Sequence, residues 1–297
     1  MDGILNINKA TGMTSHDVVA RVRKLLHQRR VGHAGTLDPA ASGVLPICVG
    51  QGTRVAEYLS ESGKAYQAEI TFGAVTDTYD AEGSIIRTAD TSHLTLARIE
   101  EALPHFLGPQ KQLPPRYSAI KIQGQPAYKR VRSGEEITLE ARAIEIQQLQ
   151  LLAWEPPRLT LAVECSKGTY IRSLAYDLGE HLGCGAYLSA LIRTRSGPFT
   201  LAGSITLEQL AEASEEETIS RYLLAADSAL QNYPALELDA ATIERVLHGN
   251  SFHNPQSHLQ PATTLARIYD MEGHFLAIAT WDSQQQQWQP KKVFGSA

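Results

Sequence analysis

Two hydrophobic periods alternate along the chain, and their order predicts its architecture. Over 14–26, Val18, Val19, Val22, Leu25 and Leu26 fall on one helical stripe, with Ser15 placed to cap it. Tyr66, Ala68, Ile70 and Phe72 then alternate with polar residues, the period of a strand with one buried face. Residues 94–107 read as helix and are stopped by Gly108-Pro109. Strand patterns recur over 116–122, over 144–152 and through Leu159, Leu161, Val163 and Cys165. A helix follows over 171–182, with Gly183 placed to end it. Strands dominate, and the helices interrupt them without a regular strand–helix–strand rhythm. That predicts an α+β fold with a largely antiparallel sheet.

The acidic, apolar-poor stretch 212–218 suggests a nearby boundary. Beyond it, a capped helix over 239–247 closes at Gly249, and a hairpin runs from 264–269 through Met271-Glu272-Gly273 to 275–281. The glutamine run 284–287 reads as a turn or loop. A small β-rich C-terminal unit over 231–297 is therefore expected behind a larger domain over 1–230.

Composition narrows the class. Of 297 residues, 43% are hydrophobic and 20% charged, as in ordinary globular proteins, and no apolar run is long enough for a membrane span. The N-terminus does not read as a signal peptide. Cys48, Cys165 and Cys184 share no C-x-x-C spacing, which points to buried thiols in a reducing compartment rather than disulfides or a thiolate zinc site. The net charge of −5 argues against nucleic acid as a partner, but its distribution does not. Over 111–132 the charged residues are Lys111, Arg116, Lys121, Lys129, Arg130 and Arg132, with no acid among them. A second basic segment holds Arg21, Arg23, Lys24, Arg29 and Arg30 against Asp17 alone. Such local faces can bind phosphates on an acidic chain.

The most unusual stretch is V-G-H-A-G-T-L-D-P-A-A-S-G-V-L-P, residues 31–46. Its three glycines and two prolines exclude an uninterrupted helix or central strand. Pro39 biases Asp38 toward an extended or turn conformation. The result is a shaped loop presenting His33 and Asp38 five residues apart. By residue chemistry alone, Asp38 could equally be a turn-former and His33 a structural histidine. Two candidate ligands without further His or Cys at ligand spacing make a poor metal site.

The whole string resembles the G-H-x-G-T-L-D-P-x-A-x-G motif of the TruB family of pseudouridine synthases. Further segments resemble that family in the same order: Lys64-Ala65-Tyr66; Thr76-Asp77-Thr78-Tyr79-Asp80-Ala81-Glu82-Gly83; Pro114-Pro115-Arg116-Tyr117-Ser118-Ala119-Ile120-Lys121; Ser166-Lys167-Gly168-Thr169-Tyr170-Ile171-Arg172; and Leu191-Ile192-Arg193-Thr194-Arg195-Ser196-Gly197. The segment 231–297 looks like the PUA-type RNA-binding module of bacterial members.

The resemblance implies a pseudouridine-synthase fold, a mixed and largely antiparallel sheet flanked by helices and loops, with an RNA-clamping insert around 108–135. It implies isomerisation of the T-loop uridine of tRNA, position 55, after flipping of the base. Asp38 would be the nucleophile, Arg172 its guanidinium partner, and Tyr66 the residue stacked on the base beside C5. Leu191 and Tyr170 would line the site and His33 would stack in the space the base leaves. Arg54, Lys121 and Arg132 would contact the RNA backbone. An isomerisation needs no metal or cofactor. The expected partner is the T-arm stem-loop, with no membrane and no obligate protein partner, for a cytoplasmic monomer. Rival readings are a non-catalytic tRNA-binding or folding protein, a guide-dependent rRNA pseudouridine synthase subunit, and a carboxylate hydrolase pairing Asp38 with Asp77 or Asp80.

Overall fold

The computed structural model describes residues 1–117, 121–122, 125–126, 130, 135, 139–253 and 263–294. Its strands in chain order are β1 (Gly3–Lys9), β2 (Val31–His33), β3 (Ser42–Val49), β4 (Lys64–Phe72), β5 (Ala74–Thr76), β6 (Ile85–Thr88), β7 (Gly108–Gln112), β8 (Lys121–Ile122), β9 (Gln125–Pro126), β10 (Arg142–Glu155), β11 (Arg158–Cys165), β12 (Ala186–Ser196), β13 (Phe199–Thr200), β14 (Leu223–Leu224), β15 (Ala235–Glu237), β16 (Leu265–Tyr269), β17 (Phe275–Asp282) and β18 (Gln287–Val293). The helices are α1 (Ser15–Leu25), α2 (Ala56–Glu61), α3 (Leu96–Ala102), α4 (Ile171–His181), α5 (Leu207–Glu215) and α6 (Ala240–Leu247).

One large sheet organises the first three quarters of the chain, in the order β14-β1-β3-β12-β4-β11-β10-β7, with β2 beside β3 and β13 beside β12. Its pairs are antiparallel except β3 with β12. The strand period explains how the sheet is covered. Leu5 and Ile7 of β1 face α1 and α5, while Ile4 faces Tyr58, Leu59 and Leu230 on the other side. Tyr66, Ala68, Ile70 and Phe72 share one face of β4, where α3 and α4 cover them. No helix among the described residues is long and apolar enough to cross a membrane.

Four local expectations change. Thr14, not Ser15, caps α1, in a reciprocal capping box with Asp17; Ser15 is buried and used elsewhere. The 94–107 helix is α only to Ala102, because Pro104 lacks an N–H and the chain tightens into a 3₁₀ turn over Leu103–Phe106. Of the strand expected over 116–122, Arg116 and Tyr117 form a bend and only Lys121–Ile122 pairs, with Gln125–Pro126; 118–120 lie outside the described residues. The stretch 212–218 is itself folded onto the first sheet's helical layer. Its first four residues end α5, whose Ser214 hydroxyl bonds the Leu25 carbonyl at the end of α1, and the chain then returns to the sheet as β14.

A second sheet, β15-β16-β17-β18, follows. The expected hairpin is β16–β17; the third antiparallel strand, β18, starts at Gln287, the last residue of the glutamine run. This sheet docks on the first: Ile278 packs with Tyr58 and Leu230, and the Lys292 ammonium bonds Glu57 and the Arg54 carbonyl, both at 2.6 Å.

Candidate active site

The motif loop between β2 and β3 is held from three directions. The Ser15 hydroxyl accepts from the Leu37 N–H at 2.9 Å and donates to the Leu37 carbonyl at 3.0 Å. The Lys9 ammonium, at the end of β1, donates to the carbonyls of Ala10, Met13 and Pro39. Arg193 of β12 donates to the carbonyls of Val44 (2.7 Å), Thr36 (3.0 Å) and Gly35 (3.1 Å). Gly43 makes the last approach possible: at its φ of 104°, a Cβ would stand 2.3 Å from the Arg193 carbonyl oxygen. Leu37 is buried beneath the loop, and Asp38 remains 44% exposed above it.

Two predictions arise here. Ser15→Ala strands both backbone groups of Leu37, at a cost of about 1–3 kcal/mol in urea unfolding. The same change loosens Asp38, so kcat should fall while KM holds. The second concerns Lys9, whose amine burial pushes down to about 8 from the usual 10.5, against the attraction of Asp38. The unfolded chain therefore binds more protons between these values, and this group makes stability rise with pH across that window. The stability of wild type minus that of Lys9→Met should climb from pH 8 to 10.5; a flat difference contradicts it.

Arg172, on the first turn of α4, reaches the loop from the opposite side. Its Nη2 lies 3.0 Å from Asp38 Oδ2 and donates to the Tyr117 carbonyl at 3.1 Å; its Nη1 lies 3.1 Å from Asp80 Oδ2. Asp80 is itself held, accepting from the Thr78 hydroxyl at 2.6 Å and the Glu82 N–H at 3.1 Å. With its oxygens engaged by donors, Asp80 anchors the Arg172 guanidinium.

Asp38, Tyr66, Tyr170, Arg172 and Leu191 line one cavity of about 320 Å³, shared with Lys64 and Arg193. Strand register explains the gathering: Tyr66 sits opposite Arg193 and Ala68 opposite Leu191 in the β4–β12 pair. Burial pushes the Tyr66 hydroxyl up to about 12, with the Arg193 guanidinium opposing the rise, so the phenol stays neutral. Tyr170 caps α4 and exchanges two backbone bonds with the Gln112 side chain.

Of the remaining expected contacts, none lines this cavity among the described residues. His33 is half-buried at the loop's edge, edge-on to His16 at 5.2 Å. Burial, then His16 and Arg193, hold its imidazole below the usual range and therefore neutral. Arg54 points to the second sheet, donating to the Val293 carbonyl and lying over the Phe294 ring at 4.8 Å. Its guanidinium ties the two sheets in this structure. Lys121 lies in the β8 backbone pair, and Arg132 lies outside the described residues.

Sequence reasoning missed two parts of this site. Asp80 was legible in its loop motif but was weighed only as a second acid. Arg193 stood in the quoted 191–197 motif but was given no role, since its strand's alternation does not mark a buried arginine.

The model of the TruB family pseudouridylate synthase N-terminal domain matches residues 23–171, and that of the tRNA pseudouridylate synthase B C-terminal domain matches 172–231. A Pseudomonas putida protein named tRNA pseudouridine synthase B is 43% identical over 281 residues, 94% of this chain and 91% of the relative. One of the same name from Symbiobacterium thermophilum is 50% identical over 252 residues, 84% and 82% respectively. Among solved structures, a chain of an H/ACA ribonucleoprotein bound to a substrate RNA containing 2′-deoxyuridine superposes with a TM-score of 0.77 at 26% identity, covering 99% of this chain and 85% of that one. The large sheet has the pseudouridine-synthase fold, and the chain belongs to the TruB family of pseudouridylate synthases.

Proposed function

We propose that this chain isomerises the T-loop uridine of tRNA, position 55, to pseudouridine, with Asp38 as nucleophile. The observation that carries the reading is the salt bridge between Asp38 and Arg172 at a cavity walled by Tyr66 and Leu191. Its volume lies in the range of small-molecule sites and suits one extruded base. Arg172 aims the carboxylate, Tyr66 stacks on the base beside C5, and Leu191 and Tyr170 complete the walls. A neutral His33 suits stacking in the vacated space better than phosphate binding.

Residues 1–230 act as the catalytic domain and 231–297 as a PUA-like RNA-binding domain; Lys121 and Arg132, from the insert around 108–135, reach the T-arm backbone. Affinity then falls with salt despite the net negative charge. Relatives named for tRNA are 43% and 50% identical, against 26% for the H/ACA chain, which favours a stand-alone cytoplasmic enzyme over a guide-dependent subunit.

The test is a T-arm transcript labelled with tritium at C5 of uridine, incubated with the protein and a chelator. Stoichiometric tritium release supports the reading, because C5 must lose its hydrogen to bond C1′. Tight binding without release leaves a non-catalytic RNA-binding protein.

A further inference from the structure

Arg172 has two carboxylate partners; Arg193, the other guanidinium lining the cavity, has none among the described residues. Arg193 is only 1% exposed, and its three bonds go to backbone carbonyls, which are dipoles without net charge. Five N–H groups are available to a guanidinium, so two are left for the cavity and the Tyr66 hydroxyl. Lys64 adds a second cation on the same wall: it is 8% exposed, and its ammonium bonds the Ser60 and Ser62 carbonyls. Burial, then the nearby Arg193 charge, push the Lys64 amine down to about 8. Buried charge is costly and is ordinarily paired. Here two cations border a cavity whose one lining carboxylate among the described residues, Asp38, is engaged by Arg172.

We propose that the counter-charge for Arg193 and Lys64 is the target uracil, whose developing negative charge they stabilise during the reaction. The proposal rests on the reading that Asp38 acts on a uridine, but not on the route. If Asp38 attacks C1′, the N1–C1′ electron pair leaves on the uracil as a new O–C1′ bond forms. If Asp38 instead removes the C2′ proton, a C1′–C2′ double bond forms and the N1–C1′ pair again leaves on uracil. If Asp38 adds to C6, the C5–C6 π pair moves through C4 onto O4. In each case the ring becomes anionic next to a fixed cation that needs no reorganisation, the arrangement that lowers a barrier most effectively.

Full-length Arg193→Gln and Arg193→Lys are assayed in single turnover on T-arm RNA with uridine, then 5-fluorouridine, at the target. Fluorine withdraws electrons and stabilises an anionic ring in all three routes. Arg193→Gln should react about 10²–10³-fold more slowly than wild type on uridine, with at least about tenfold less loss on 5-fluorouridine. Arg193→Lys should lose less than Arg193→Gln, and RNA affinity should be unchanged in both. Equal losses on the two substrates overturn the proposal and leave Arg193 as a brace for the loop. A second readout needs neither turnover nor an Arg193 variant. Asp38→Asn protein binds T-arm RNA carrying 6-azauridine, and ultraviolet titration follows ionisation of its N3–H. Ionisation at lower pH in the complex than in free RNA is expected; an unchanged or higher value contradicts the proposal. Because this titration reads cavity charge alone, it separates failure of the proposal from failure of the Asp38 reading, which would show as wild type converting no uridine.

Discussion

Asp38→Asn should reduce conversion of a T-arm uridine by on the order of 10⁴–10⁶-fold, while binding that RNA about as tightly as wild type. Asparagine has nearly the same shape, and its amide oxygen can still accept from Arg172, so the cavity keeps its walls. What disappears is the carboxylate charge, and with it the group that forms a bond to the ribose or the base, or takes the C2′ proton. Stability should change little, because the Asp38 side chain is 44% exposed and its salt bridge is screened by water. Single-turnover mapping with parallel filter binding checks both halves. Residual activity above about 1% of wild type would remove Asp38 from the nucleophile's role.

Arg172 carries the second large effect, and here activity and stability separate. Its guanidinium spans Asp38 and Asp80 while bonding the Tyr117 carbonyl, a bridge that only a planar fork can make. Lysine can satisfy one carboxylate at a time. Arg172→Lys should therefore lose about 10²–10³ in kcat through misplacement of Asp38. Arg172→Met leaves Asp80, whose side chain is only 12% exposed, without its cation, at a cost of about 2–4 kcal/mol. Adding Asp80→Asn to Arg172→Met removes that stranded charge. The double variant should regain stability in urea unfolding without regaining activity. Recovery of both, or of neither, would contradict the bridging role.

The sheet was legible in the sequence wherever one face of a strand is buried. Tyr66, Ala68, Ile70 and Phe72 announced β4, and Leu159 to Cys165 announced β11, because alternation records burial directly. Long helices ended where Gly183 and Gly249 stand. The reading failed where short-range chemistry overrode periodicity. Pro104 split a helix, and Thr14 took the cap that Ser15 seemed placed for, freeing Ser15 to brace the motif loop. At the site, Asp38, Tyr66 and Arg172 were found through motif resemblance, since an Asp in a Pro- and Gly-rich loop looks like a turn. The supporting shell was largely invisible, because its partners are distant in sequence. Arg193 meets Gly35 and Thr36 across 158 and 157 residues, and Asp80 meets Arg172 across 92. The Arg54 tie to the second sheet was hidden for the same reason, its Val293 partner lying 239 residues away.

The central claim is that this chain makes pseudouridine at one T-loop position by way of Asp38. The most direct measurement maps pseudouridine at every nucleotide of an unmodified full-length tRNA transcript after treatment with wild type or with Asp38→Asn. Near-complete conversion at the T-loop uridine alone by wild type, and none by the variant, is the predicted result. Conversion at another position, or by both proteins alike, would contradict the account.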